Sequence, residues 1–118
     1  MIVAVTLALV LQLEPYAGPP LSGSVPGTAK FGVRLRGAPG ATVRLRATNV
    51  PAGYLATFCT NRVCAPRRVT LVLPHSGRQT IELQYVGTRP AAPPPRLAEV
   101  AADGARAATL PFARATRS

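Results

Sequence analysis

The segment from Val50 to Val86 constrains the fold more than any other part of the chain. Pro51-Ala52-Gly53-Tyr54 reads as a turn, and Cys59 and Cys64 follow with four residues between them. Two alternating apolar runs come next, hinged at Leu73-Pro74-His75-Ser76-Gly77. Proline and glycine stand where the chain must reverse, and the apolar residues between them recur with a period of two. The order is strand, turn, cystine loop, strand, turn, strand.

The flanking sequence extends the pattern. Phe31, Val33 and Leu35 alternate with Gly32, Arg34 and Arg36; after Gly37-Ala38-Pro39-Gly40, Val43 and Leu45 alternate with Thr42, Arg44 and Arg46. This predicts a hairpin with one apolar and one basic face. Pairing Leu35 with Val43 would set Arg34 opposite Arg44. Leu97 to Phe112 predicts a final hairpin, turned at Asp103-Gly104 as a type I′ turn, with Pro111 near an edge or strand end. Pro90 and Pro93-Pro94-Pro95 suit a polyproline connection. No stretch after residue 30 keeps a convincing helical period. About seven short strands result, and the expected fold class is all-β, an immunoglobulin-like antiparallel β-sandwich.

The first residues have two readings. Ile2 to Leu13 is apolar apart from Thr6 and Gln12, too short to span a bilayer as a helix, which takes roughly 20 residues. Its length is that of a signal-peptide core, with small residues at Tyr16-Ala17-Gly18, although no basic residue precedes it and Ala-x-Ala is absent. The alternative is an N-terminal strand, since Val3, Val5, Leu7, Leu9, Leu11 and Leu13 share one parity. That reading makes Met1 an internal start in a longer protein. The expected organisation is a signal peptide over 1–17 (alternatively a strand), a Pro/Gly-rich linker over 18–29, the sandwich over 30–113 and a tail over 114–118.

At 118 residues the chain holds one domain at most, besides leader or tails. With three Phe, three Tyr and no Trp, its core must come from Val, Leu, Ile and Ala, and a cross-link would matter to so small a domain. Cys59 and Cys64 are therefore read as a local disulfide. A loop this short stabilises the fold by roughly 2 kcal/mol on the chain-entropy model. The spacing is not Cys-x-x-Cys, and one histidine with two cysteines falls short of a structural zinc set. No metal or cofactor is expected.

Nor is an enzyme expected. His75 sits in a turn, and the four acids are Glu14, Glu82, Glu99 and Asp103. Asp103 belongs to a turn, and Glu82 and Glu99 fall at outward or strand-end positions, so nothing marks a carboxylate pair. Leu73-Pro74-His75-Ser76-Gly77 looks like a sortase sorting signal, but strands follow it where a hydrophobic segment and basic tail would be needed.

The net charge is +10, and Lys30 is the only lysine among 14 Lys and Arg residues. Codon bias accounts for arginine enrichment alongside abundant Ala, Gly and Pro; an anionic partner accounts for it functionally. Like charges opposite each other on paired strands repel, and an anion would relieve that repulsion. The candidate contact surface is Arg34, Arg36, Arg44 and Arg46; Arg62, Arg67 and Arg68 add charge near the cystine loop, towards another end of the sandwich. The expected partner is an anionic cell-envelope polymer, a membrane surface or a protein. Nucleic acid is disfavoured, because stacking aromatics do not interleave with the basic residues.

The segment "NVPAGYLATFCTNRVCAPRRVTLVLPHSGRQTIELQY" resembles bacterial extracytoplasmic immunoglobulin-like modules, including fibronectin-III-like and NEW3-type accessory domains. In these a Pro-x-Gly-aromatic step leads into a strand and a Leu-Pro-x-x-Gly turn leads into an Ile-x-Leu strand. The upstream "GVRLRGAPGATVRLRATN" looks like the preceding strand pair. Tyr54 stands where such modules often carry Trp, and the cysteines are close in sequence. The resemblance covers about residues 30 to 112. It implies a non-catalytic, secreted or cell-envelope accessory or interaction module; the alternative is a structural spacer or a fragment of a larger surface protein.

Overall fold

The computed structural model describes residues 8–16, 29–60, 64–88 and 96–114. Residues 1–7 of the expected leader, the linker up to residue 28, Arg62, the proline run at 89–95 and residues 115–118 of the tail lie outside them. The described residues form nine strands: β1 (Val10–Pro15), β2 (Ala29–Arg36), β3 (Thr42–Ala47), β4 (Tyr54–Cys59), β5 (Cys64–Pro66), β6 (Arg68–Val72), β7 (Arg78–Gly87), β8 (Leu97–Ala102) and β9 (Ala108–Pro111). One sheet has the order β1-β2-β7-β4-β5 and the other β6-β3-β8-β9, every pair antiparallel.

The architecture is the expected all-β sandwich, with nine strands in place of seven. Without β5 and β6 the sheets read β1-β2-β7-β4 and β3-β8-β9. That is the ABED and CFG arrangement of an immunoglobulin constant-type sandwich. The expected seven already held β6, so the strands added are β1 and β5, and β5 arises because the cystine keeps the chain in the first sheet for three more residues. Arg67 then switches it to the second sheet. Its N–H donates to Ala56 O at 2.8 Å on β4, and Ala47 N–H of β3 donates to Arg67 O at 2.9 Å. At φ 68° Arg67 holds a left-handed conformation that arginine rarely adopts, and these two bonds fix it there.

The expected pairing of residues 31–35 with 43–45 is corrected. β2 pairs with β1 and β7, whereas β3 pairs with β6 and β8. Gly37-Ala38-Pro39-Gly40 is a crossover between sheets. Ala41 N–H donates to Ala38 O at 3.1 Å, with Gly40 at φ 78°. Burial explains the choice. Phe31, Val33 and Leu35 need a second apolar layer above them, and Val43 and Leu45 supply it only from the facing sheet. The final hairpin forms as β8 and β9, but its loop is longer than a two-residue type I′ turn. Only Gly104 has positive φ there, and Ala105 N–H donates to Ala102 O, which fits a type II turn.

Between the sheets lie Leu11, Leu13, Phe31, Val33, Leu35, Ala56, Phe58, Ile81, Leu83 and Tyr85 from one side. Val43, Leu45, Leu73, Ala98, Val100 and Ala102 meet them from the other. Phe112, in a 3-10 turn over Phe112–Arg114, closes one end of this core. Its ring lies edge-on to Tyr85 at 4.8 Å, Phe31 at 5.2 Å and Tyr54 at 6.2 Å. Four of the six aromatics thus meet in one cluster, where edge-to-face geometry adds to burial. Burial pushes the Tyr85 phenol above its ordinary value.

Candidate functional site

In a strand, residues of one parity face the core and those of the other face outward. In β2 this sends Arg34 and Arg36 out of the first sheet; in β3 it sends Arg44 and Arg46 out of the second. All four are exposed. Because β2 and β3 belong to different sheets, the two pairs lie on opposite sides of the sandwich and share no face. Arg34 stands opposite Gln12 and Thr80, and Arg44 opposite Thr70.

The structure instead brings together two other sets. On the second sheet, Arg46 is directly opposite Arg68 of β6, with Arg44 two residues along β3. Arg44, Arg46, Arg67, Arg68, Thr70 and Asp103 line an open cleft of about 580 Å³ with a net of three positive charges. Arg46 Nη1 donates to Asp103 Oδ1 at 3.1 Å, which steadies one guanidinium while both groups stay in solvent. On the first sheet, Arg36 is directly opposite Arg78 of β7. Arg34, Arg36, Arg78, Gln79 and Thr80 line a second cleft, of about 370 Å³. There Arg34 Nη2 lies 3.1 Å from Glu14 Oε2. Arg36, Arg44, Arg67, Arg68 and Arg78 form no ion pair among the described residues.

Sequence reasoning missed Arg78 altogether and gave Arg67 and Arg68 no site. The signal for Arg68 and Arg78 was their outward parity, but choosing their neighbours required knowing which strands pair. Arg67 carried no such signal, since its place comes from the left-handed backbone at the sheet switch.

Cys59 and Cys64 form the expected disulfide. They face each other in the β4–β5 ladder. Cys59 lies on the outward parity of the first sheet yet is fully buried, and Gln84 Nε2 lies 2.8 Å from its sulfur. Glu82, expected at an outward or strand-end position, does face outward but is covered. It has the outward parity of β7 and no exposed surface, with Lys30 Nζ 4.0 Å from Oε1. Tyr16 belongs to the same region; burial first, and then the Glu82 charge, push its phenol up.

Glu99 is elsewhere, on β8. It accepts from Thr48 Oγ1 at 2.6 Å and Asn49 Nδ2 at 3.0 Å, tying the second sheet to the turn before β4. His75 is exposed in the turn closed by Gly77 N–H donating to Pro74 O at 2.9 Å. Among the described residues no group of three metal-ligating side chains comes together. No helix among them is long and apolar enough to cross a membrane.

Compared with known proteins, the chain matches no family model, no curated protein and no solved structure.

Proposed function

We propose that this protein is a non-catalytic, extracytoplasmic immunoglobulin-like accessory module that binds an anionic cell-envelope polymer through its arginines. The observation that carries the reading is the cleft on the second sheet. Arg46 and Arg68 are opposed in register there, beside Arg44 and Arg67. Like charges directly opposite destabilise a sheet, and a bound anion turns that repulsion into attraction. Glu82 and Glu99 stand on strands of different sheets and His75 in an exposed turn, which supports a binding role over acid–base chemistry.

The disulfide supports an oxidising compartment. For the N-terminus, the ladder of Val10–Pro15 with Phe31–Arg36 supports the strand alternative. Leu11 and Leu13 are buried in the core, and cleavage near Ala17 would remove them. Intact-mass spectrometry of the exported protein decides whether that strand is retained.

The test of binding is retention on immobilised long-chain polyphosphate as sodium chloride is raised. The native chain is retained at low salt and released as counterions compete. Substituting Arg44, Arg46, Arg67 and Arg68 together by alanine is expected to weaken retention, so that release comes at clearly lower salt. Equal retention of native and substituted chains would sink the reading.

A further inference from the structure

The two arginine clefts differ in composition but share a plan. Each has a pair of arginines directly opposite on neighbouring antiparallel strands, Arg46 with Arg68 and Arg36 with Arg78. Each has one arginine steadied by a carboxylate, Arg46 by Asp103 and Arg34 by Glu14. Each also has an exposed threonine on the strand that carries the second arginine, Thr70 on β6 and Thr80 on β7.

Opposed residues in an antiparallel ladder have Cα atoms about 5 Å apart, so two guanidiniums can converge on one group. A carboxylate offers two oxygens in one plane, a shape matched by a single bidentate guanidinium. Along a phosphate polymer each in-chain phosphoryl group offers two free oxygens on a tetrahedral centre, and the next group along offers more, enough for the second guanidinium and the threonine hydroxyl. The arrangement therefore fits phosphate-type groups better than carboxylates.

The clefts are also placed apart. They lie on opposite outer faces, by the parity of β2 and β3. Arg36 and Arg78 sit at the end where Gly37 N–H donates to Gly77 O, beside the start of β3. Arg46 and Arg68 are four residues further down the β3–β6 ladder from Thr42, about 13 Å at the rise of a strand. One planar surface can meet only one of these faces. The described large apolar residues exposed to solvent are Val10, Val72 and Leu97, too scattered to seat the domain in a bilayer.

We propose that the domain has two sites for tetrahedral oxyanions on opposite faces and so cross-links separate strands of an extended phosphate polymer. This rests on the binding reading above and adds the number of sites and the ligand chemistry. Two weak sites on one rigid body bind a long polymer by effective concentration, without new contacts.

Calorimetric titration with tripolyphosphate tests the count, and light scattering with long-chain polyphosphate tests the cross-linking. Two tripolyphosphate sites per chain are expected, together with scattering that rises and then falls as polymer is added in excess. Arg36→Gln with Arg78→Gln is expected to leave one site and abolish the scattering rise, while retention on the polyphosphate resin weakens to what the second-sheet cleft alone supports. Thermal melting checks that the variant is folded, and Arg78→Gln alone serves if it is not. One site in the native chain, or scattering indifferent to these substitutions, would overturn the two-site proposal and leave the single-cleft reading standing. No binding at all would overturn both. Retention by phosphatidylglycerol vesicles but not by polyphosphate of equal charge would overturn the polymer assignment in favour of a membrane.

Discussion

The outer face of the second sheet and that of the first are written in the same alternating code and end in different environments. Along β3, Thr42, Arg44 and Arg46 are all in solvent. Along β7, Arg78 and Thr80 are exposed, but Glu82 and Gln84, of the same parity, are fully buried. The difference is what lies over the strand. At the covered end of the first sheet are the Cys59–Cys64 bridge and Lys30, and the Glu14 side chain crosses Gly32, leaving only 3.0 Å to where a Cβ would stand. Alternation fixes which way a side chain leaves a sheet, and a second layer decides whether it reaches water.

The largest expected effect comes from breaking the covered end. Lys30→Ala removes a cation beside a carboxylate that has no exposed surface. It should cost about 2–3 kcal/mol, whereas Arg34→Ala on the same strand, where Arg34 is 58% and its partner 34% exposed, should cost less than about 1 kcal/mol. Urea denaturation of both variants measures the contrast, and equal losses would mean that both ends behave as open surface.

Next is the bridge itself. Cys59→Ser with Cys64→Ser, or reduction of the native protein, should cost roughly 2 kcal/mol through loop closure. The loss should appear together with faster hydrogen exchange at the β4–β5 ladder, and slow exchange there in the reduced chain would show that the cover does not depend on the cystine.

The smallest effect sharpens the open side. Arg68→Glu turns the Arg46–Arg68 opposition into an ion pair and should stabilise the fold by about 0.5 kcal/mol at low salt. The gain should fade as salt rises. A loss of stability in the thermal melt would mean that Arg46 and Arg68 do not repel, and with that the physical case for the cleft would fail.

Most strands were legible because burial imposes a period of two on them. The Pro51–Tyr54 and Leu73–Gly77 turns were legible because proline and glycine mark them. β5 was not, since a three-residue strand has no period to read and exists only because Cys64 is held opposite Cys59. The candidate site was half legible. Arg44 and Arg46 were named for their outward parity, but they were joined to Arg34 and Arg36 by a hairpin that does not form.

The sequence by itself determined an all-β sandwich with a local cystine and arginines facing outward. These follow from local physics: alternation, turn chemistry and short loop closure. Only the tertiary structure decided that β2 and β3 part into different sheets, that Arg46 meets Arg68 and Arg36 meets Arg78, and that the outward-facing Glu82 is covered. Those outcomes depend on which strands pair across long separations. That choice is made by filling one shared core, and no short window of sequence contains it.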